Sequence, residues 1–219
     1  MASQIAENDL KALFYLSQDK NHVSISELSD MLQVSKPTVN SMIRTFQDQG
    51  LVNYEKYKPL SLTDKGKNMA AMVIRKHRLT EMFLVEKMGF GWEEVHEIAE
   101  QIEHIDSDQF FDRMDKMLGF PQFDPHGSPI PDKKGNMPKT NFRSLSHHMV
   151  GDSVKLVALG HSEKELLTFL DSKSLELGTT LKVMTKEDFD GSMAIKFNEQ
   201  LLSLSKRVCD SLLVEDQPA

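Results

Sequence analysis

One cysteine in 219 residues, Cys209, leaves this chain unable to form an internal disulfide. No Cys-x-x-Cys occurs, so a structural zinc cluster is not indicated. His-Glu-x-x-His is missing as well, and a zinc-protease reading fails on spacing. The longest apolar run near a potential span, MAAMVI at 69–74, is far too short to cross a bilayer. No basic segment followed by an apolar one opens the chain, so no secretory signal is visible. A single thiol fits a reducing compartment. The expectation is a cytoplasmic protein with no membrane partner. Internal repeats and low-complexity tracts are also lacking.

Positive charge is in short supply overall. The net charge is −7, which at first argues against nucleic acid. Its distribution says more. Residues 1–78 carry a net +3, residues 79–132 a net −10, and residues 133–219 a net of zero. A middle segment so acidic repels itself unless cations or basic partners neutralise it. Hydrophobic content of 39% and charged content of 27% fit a globular protein. The length suits one large domain or two to three small ones.

The first third reads as a helix over 4–17, then SISELSDMLQVS, then SKPTVNSMIRTFQDQG. Ser24 or Ser26 caps the second helix, with Glu27 at capping-box spacing from Ser24. Ser35 is a natural N-cap for the third, Pro37 fits its first turn, and Gly50 closes it. Val39, Met42, Ile43 and Phe46 give that helix a buried side. Two short alternating segments, 51–56 and 60–63, follow around a YKP turn and predict a β-hairpin. Helix, turn, helix, hairpin is the order of a winged helix-turn-helix. A helix then spans about 64–87, with others at 92–105 and 107–118. Residues 119–145 hold five of the eight prolines and read as a linker or binding loop. In the last third SVKLVAL, TLKVMT, DGSMAIKF and SLLVE read as strands. A helix and turn lie between the first two, and a helix is expected over about 198–208. The sum is a small β-rich, barrel-like domain.

The stretch EVHEIAEQIEHIDSD, 94–108, carries the chemistry. On a helical wheel His96, Glu100, Glu103 and His104 fall within roughly 100° of each other, beside an apolar arc of Val95, Ile98, Ala99, Ile102 and Ile105. Upstream, His77 and Glu81 stand at i and i+4 and share a face. Imidazole and carboxylate at that spacing chelate a divalent ion. A solvated charged face has the same pattern, and these residues alone leave both readings open.

The chain resembles the diphtheria-toxin-repressor family of metal-dependent transcriptional regulators over nearly its whole length. The resemblance is carried by SKPTVNSMIRTFQDQGLV, YEKYKPLSLTDKGK, IRKHRLTEMFL, VHEIAEQIEH and DPHGSPIP. The tail FLDSKSLELGTTLKV…FDGSMAIKF resembles the SH3-like domain of the larger members. The resemblance implies a mainly α fold with small β parts, in three domains. These are a winged helix-turn-helix over 1–64, a helical metal-binding and dimerisation domain with its Pro/Gly-rich linker over 65–145, and an SH3-like β-barrel domain over 146–219.

It also implies two metal sites. A regulatory site would use Glu100, Glu103 and His104 with Asn8, where iron-type members have Met and manganese-type members Asp. Asp9 is a neighbouring alternative. A second site would use His77, Glu81 and His96, completed by Asp124 and His126 of DPHG, with Glu165 a weaker candidate. In short manganese-type members a further acid of the first helix builds a two-metal centre; this chain departs from that pattern with Lys11. No implied ligand is sulfur, so hard oxygen plus imidazole suits Mn²⁺ or Fe²⁺, with Mn²⁺ preferred. Zn²⁺ or Co²⁺ binding is expected in vitro.

The implied function is a metal-dependent repressor, not an enzyme, that binds a double-stranded DNA operator as a homodimer. A metal joining Asn8 to Glu100, Glu103 and His104 would fix the angle of the DNA-reading domain. Ser35, Lys36, Pro37, Thr38, Asn40, Ser41 and Arg44 are the candidate DNA contacts, with Lys56 and Lys58 from the wing. Leu79, Phe83, Leu84, Phe110 and Met114 are candidates for the dimer interface or an ordinary core. The alternatives are a metallo-hydrolase or oxidase using the His/Glu cluster, and a metal-independent winged-helix regulator.

Overall fold

Ser24 starts the second helix of the fold. In the computed structural model, which describes residues 3–18, 22–55 and 58–217, its side chain accepts from the Glu27 N–H while the Glu27 carboxylate accepts from the Ser24 N–H. This reciprocal cap starts α2, Ile25–Leu32, and decides between the two serines. Gln33 ends α2 in the left-handed region at φ 54°. Ser35 then caps the Thr38 N–H and starts α3, Lys36–Asp48. With α1, Gln4–Leu16, these form the three-helix part. The hairpin follows as β1, Val52–Asn53, and β2, Ser61–Leu62, paired antiparallel. Lys56 lies outside the described residues.

The chain divides into two units. The first comprises 1–80, 99–119 and 130–138. Its core joins Leu10 and Leu13 of α1, Leu28 of α2, Val39, Ile43 and Phe46 of α3, Leu60, and Ile74 of α4, Asp64–Met88. It also holds α6, Asp108–Met117, capped by Ser107. A buried ion pair ties α4 to α6: Arg75 reaches Asp115 at 2.6 Å and donates to the Pro131 carbonyl at 2.7 Å. The helix expected over 92–105 is shorter. It forms α5, His96–Ile102, so Glu103 and His104 fall in the turn that follows.

The second unit comprises 81–98, 120–129 and 139–219. Its sheet has the order β3-β8-β4-β5-β6-β7. The strands are β3 (Arg143–Ser144), β4 (Ser153–Leu159), β5 (Thr180–Lys186), β6 (Met193–Phe197), β7 (Gln200–Leu204) and β8 (Leu212–Asp216). All neighbouring pairs are antiparallel. Helix α7, Lys164–Ser172, adds Leu167 and Leu170 to the core. The helix expected over 198–208 is not formed. Asn198 and Glu199 adopt φ of 44° and 62° and turn the chain back so that Phe197 pairs with Gln200. A two-residue turn with both central residues at positive φ matches strand twist, which favours a hairpin over a helix start. Helix α8 begins later, Lys206–Ser211, capped by Ser205. Among the described residues no helix is long and apolar enough to cross a membrane.

Of the proposed interface residues, Leu79, Leu84 and Met114 are buried. Phe83 is half-buried. Phe110 is exposed, as are Met88 and Met117.

Candidate metal centre

The nine residues that the sequence singles out for metal divide between the two units. In the second unit Glu81, Asp124 and His126 come together. They are 2%, 6% and 2% exposed. Each offers a ligand atom within 4.8 Å of the others. Glu81 comes from α4, the other two from the loop after α6.

Local chemistry shapes that loop. Asp124 Oδ1 accepts from the His126 N–H at 2.8 Å and the Ser128 N–H at 2.9 Å, and the Asp124 N–H donates to the Ser128 carbonyl at 2.9 Å. An aspartate whose side chain caps its own turn is a stable local structure. The loop is then fastened to β4 by the Leu159 N–H, which donates to the His126 carbonyl at 2.9 Å. Gly127 permits the approach. Its φ is +82°, and a Cβ there would lie 2.2 Å from the Val157 carbonyl oxygen.

His126 is oriented as a ligand would be. Its Nε2 lies 2.9 Å from the Trp92 carbonyl, which only accepts, so Nε2 carries the hydrogen. The neutral ring then presents the Nδ1 lone pair, 3.7 Å from Glu81 and 4.0 Å from Asp124. Metal-bound histidines are commonly held by such a bond from the other ring nitrogen. Trp92 stacks on the His126 ring, with centroids 5.9 Å apart, and its Nε1 donates to Asp171 at 2.9 Å. Burial lowers the His126 pKa, but the bond to and charge of Glu81, the charge of Asp124 and the Trp92 carbonyl outweigh it, so the pKa is raised. The buried carboxylates thus make His126 hold a proton more tightly than a free imidazole does. His96 stands at the rim: its Nδ1 is 3.3 Å from Glu81, and its side chain is 58% exposed. Two carboxylates and an imidazole, without sulfur, fit one divalent ion of the harder type. Glu165 is exposed and lines a separate groove with His161 and Phe169.

The first unit holds His77, Glu100, Glu103 and His104, and there Lys11 enters. Its Nζ lies 2.5 Å from Glu100 Oε1 and 2.7 Å from Glu103 Oε1. Glu103, fully buried, meets His77 Nδ1 through its other oxygen at 2.6 Å. His104 Nδ1 meets Glu7 at 2.6 Å. Burial raises the Glu103 pKa, but the His77 bond and Lys11 outweigh it and lower the net value. Burial lowers that of Lys11, and the two glutamates outweigh it and raise it. Both directions favour an ionised pair. Asn8 lies one turn before Lys11 on α1, and its buried Oδ1 accepts no hydrogen bond among the described residues. Asp9 is partly buried, which raises its pKa. The Lys11 ammonium thus lies between Glu100 Oε1 and Glu103 Oε1, two of the oxygens that the sequence singles out for metal.

Sequence reasoning overlooked Trp92 and Glu7. Glu7 carried a usable signal, because it stands at i−4 to Lys11 and shares its face of α1. Trp92 carried none, since its part is played by a backbone carbonyl.

Helix α3 exposes Lys36, Pro37, Thr38, Ser41 and Arg44, and its cap Ser35 is exposed too. Asn40 is half-buried and engaged at both ends: its Nδ2 donates to the Lys36 carbonyl at 2.9 Å, and its Oδ1 accepts from the Tyr54 hydroxyl at 3.3 Å. Lys58 is exposed and paired with Glu55.

Comparison with known proteins gives three family matches. Residues 1–60 match the iron dependent repressor N-terminal DNA binding domain, residues 63–132 the iron dependent repressor metal binding and dimerisation domain, and residues 143–216 the FeoA domain. The iron-dependent repressor IdeR of Mycobacterium leprae is 36% identical over 122 residues, which are 56% of this chain and 53% of that protein. The chain thus spans about half the length of the IdeR relatives it matches. The diphtheria toxin repressor of Corynebacterium efficiens is 25% identical over 216 residues, covering 94% of this chain and 93% of that protein. A solved manganese-dependent transcriptional repressor in complex with manganese aligns with a TM-score of 0.88 at 31% identity, covering 97% of this chain and all of that one. ScaR with bound Cd²⁺ aligns at 0.83 and 31% identity, covering 97% of this chain and 99% of that one.

Proposed function

Because the chain belongs to the diphtheria-toxin-repressor family of metal-dependent regulators, we propose that it represses transcription by binding a double-stranded DNA operator as a homodimer, with Mn²⁺ or Fe²⁺ as the signal. The observation that carries this is the buried cluster of Glu81, Asp124 and His126. A bound divalent ion would supply the charge that offsets the two carboxylates in place of the His126 proton. Glu81, Asp124 and the His126 Nδ1 would hold it, with His96 at the rim.

The chain's own residues supply the rest. Glu81 rides on α4, whose first residue, Asp64, follows the wing in the sequence. Coupling between effector and DNA in such systems typically amounts to about 1–3 kcal/mol. The N-terminal turn of α3 would favour phosphate, with Ser35, Lys36 and Thr38 around it. Ser41 and Arg44 would meet base edges or backbone. Asn40, held between α3 and Tyr54, aligns the helix with the wing. In a homodimer two such helices would read successive major grooves about 34–36 Å apart. The exposed Phe110 would be available for that association. Its relatives are repressors, and we read this chain as a cytoplasmic regulator rather than an enzyme.

The test is fluorescence anisotropy on a palindromic operator, in EDTA and with Mn²⁺, Fe²⁺ or Zn²⁺, for the wild type and His126→Ala. The expected result is a metal-dependent gain in affinity that the variant loses. Full metal response in His126→Ala would overturn the assignment of the site.

A further inference from the structure

The chain after α6 builds the same loop twice. In 124–128, DPHGS, the Asp124 N–H donates to the Ser128 carbonyl at 2.9 Å, and Asp124 Oδ1 accepts from the His126 and Ser128 N–H groups. The Gly127 N–H donates to the Asp124 carbonyl at 3.0 Å. In 132–136, DKKGN, the Asp132 N–H donates to the Asn136 carbonyl at 2.9 Å, and Asp132 Oδ1 accepts from the Lys134 and Asn136 N–H groups. The Gly135 N–H donates to the Asp132 carbonyl at 2.9 Å. Gly127 and Gly135 stand at φ +82° and +80°. Only Asp and Gly recur in the two segments, so the repeat is one of geometry. An aspartate that caps its own turn holds such a loop by local bonds.

The two loops have different seats. The first carries Asp124 and His126 and lies against β4. The second lies on α4. There Asn68 Nδ2 donates to the Lys134 carbonyl at 2.6 Å, and a Cβ on Gly135 would lie 2.8 Å from that Nδ2 and 3.4 Å from the Ala71 Cβ. Just beyond the loop, Met137 packs on the core that contains Val39, Ile43 and Phe46 of α3, and its Sδ lies 3.9 Å from Arg78 Nη1. Between the loops stand Pro129, Ile130 and Pro131. Each proline has a fixed φ, and Ser128 and Ile130 are restricted by the proline that follows. The buried Arg75 holds the Pro131 carbonyl at 2.7 Å. Few free rotations remain with which the link could absorb a shift of the first loop.

We propose that residues 124–137 form a strap that passes the state of the metal loop to the core seating α3, with Asn68 and Met137 as its positioning residues. This deepens the repressor reading and rests on it. With Asp124 and His126 held by an ion, the first loop is fixed, the proline link carries that restraint, and the second loop with Met137 bears on the core. No residue of the second loop binds metal; its part is to make the core respond.

The test uses the full chain and Mn²⁺ alone. Hydrogen exchange of the 134–136 amides is followed by mass spectrometry in EDTA and at saturating Mn²⁺. The wild type is expected to exchange more slowly with Mn²⁺, and His126→Gln to lose that effect. Pro129→Gly/Pro131→Gly frees the link and keeps every ligand. It is expected to bind Mn²⁺ as the wild type does but to show no slowing at 134–136. On palindromic DNA the gain in affinity given by Mn²⁺, typically about 5–150-fold for coupled sites, should shrink at least about fivefold in the glycine variant and in Met137→Ala, and return in Met137→Leu. A merely structural contact would lower stability and leave that ratio unchanged. Slowing kept by His126→Gln or by the glycine variant, none in the wild type, or a full gain in Met137→Ala would each overturn the proposal. If the glycine variant fails to fold, Asn68→Ala, a change at the surface, decides: an undiminished gain overturns the strap. A wild type whose 134–136 amides slow with Mn²⁺, yet which binds no palindromic DNA, would sink the repressor reading and leave the strap standing.

Discussion

His126 and Trp92 are joined twice: the imidazole Nε2 donates to the Trp92 carbonyl at 2.9 Å, and the two rings stack with an interplanar angle of 17°. The indole is in turn anchored through Nε1 to Asp171. The backbone carbonyl therefore sets which nitrogen of His126 is offered to a ligand, and the indole packs against the imidazole face.

Removing the indole leaves the carbonyl bond in place and takes away only the ring that packs on the imidazole. Losing a hydrogen-bonded outer partner typically costs about 10–100-fold in metal affinity. Trp92→Ala, which keeps that partner, is expected to lose less than this for Mn²⁺ by calorimetric titration, and Trp92→Phe, which keeps a stacking ring, less still.

Acid should weaken metal binding through His126. Its pKa is raised above the ordinary imidazole value of about 6.5. The metal needs the Nδ1 lone pair and must displace the proton. Mn²⁺ affinity is thus expected to rise with pH through the raised folded value and then level off. The metal-free protein should show the opposite sign. The charged His126 stabilises the fold below the unfolded pKa, and that contribution is lost as pH rises through the folded one. Melting temperatures of the wild type and His126→Gln, taken in EDTA across this window, check the second statement.

Gly127→Ala combines two costs. The residue sits at φ +82°, and the new Cβ would press on the Val157 carbonyl. The loop must leave β4, carrying Asp124 and His126 with it. The expected outcome is lower thermal stability together with lost Mn²⁺ binding. Gly50, at φ +70° but with open space around it, provides the control: Gly50→Ala should be destabilised by the backbone alone and keep its metal.

Breaking the pair of Arg75 and Asp115 leaves a buried guanidinium uncompensated. Such a loss typically costs about 3–5 kcal/mol. Asp115→Ala should show it in urea denaturation. The apolar double variant Arg75→Met/Asp115→Leu should recover most of the loss, because no unpaired charge remains.

Much of the fold was legible along the chain because its signals are local. Ser24 with Glu27, Ser35 with Pro37, and the alternation of Val39, Ile43 and Phe46 state where helices begin and which side is buried. Among the residues proposed for metal, His77, Glu81 and His96 stand out by helical spacing, whereas Asp124 and His126 lie in a loop and were indicated only by the resemblance of DPHG. The hairpin at Asn198 and Glu199 was misread because positive φ at two ordinary residues leaves no mark in composition. Helix α5 was read too long because periodicity continues past Ile102 whether or not the backbone does.

Tertiary structure decided which donors meet. Glu81 is separated from Asp124 by 42 intervening residues, and no period links them. They come together because the loop closes on its own aspartate and Gly127 lets it lie against β4. Lys11 is the sharper case. In a sequence a lysine reads as solvated, since burying an ammonium is costly. That cost depends on what it meets, and only the folded chain brings Glu100 and Glu103 to it.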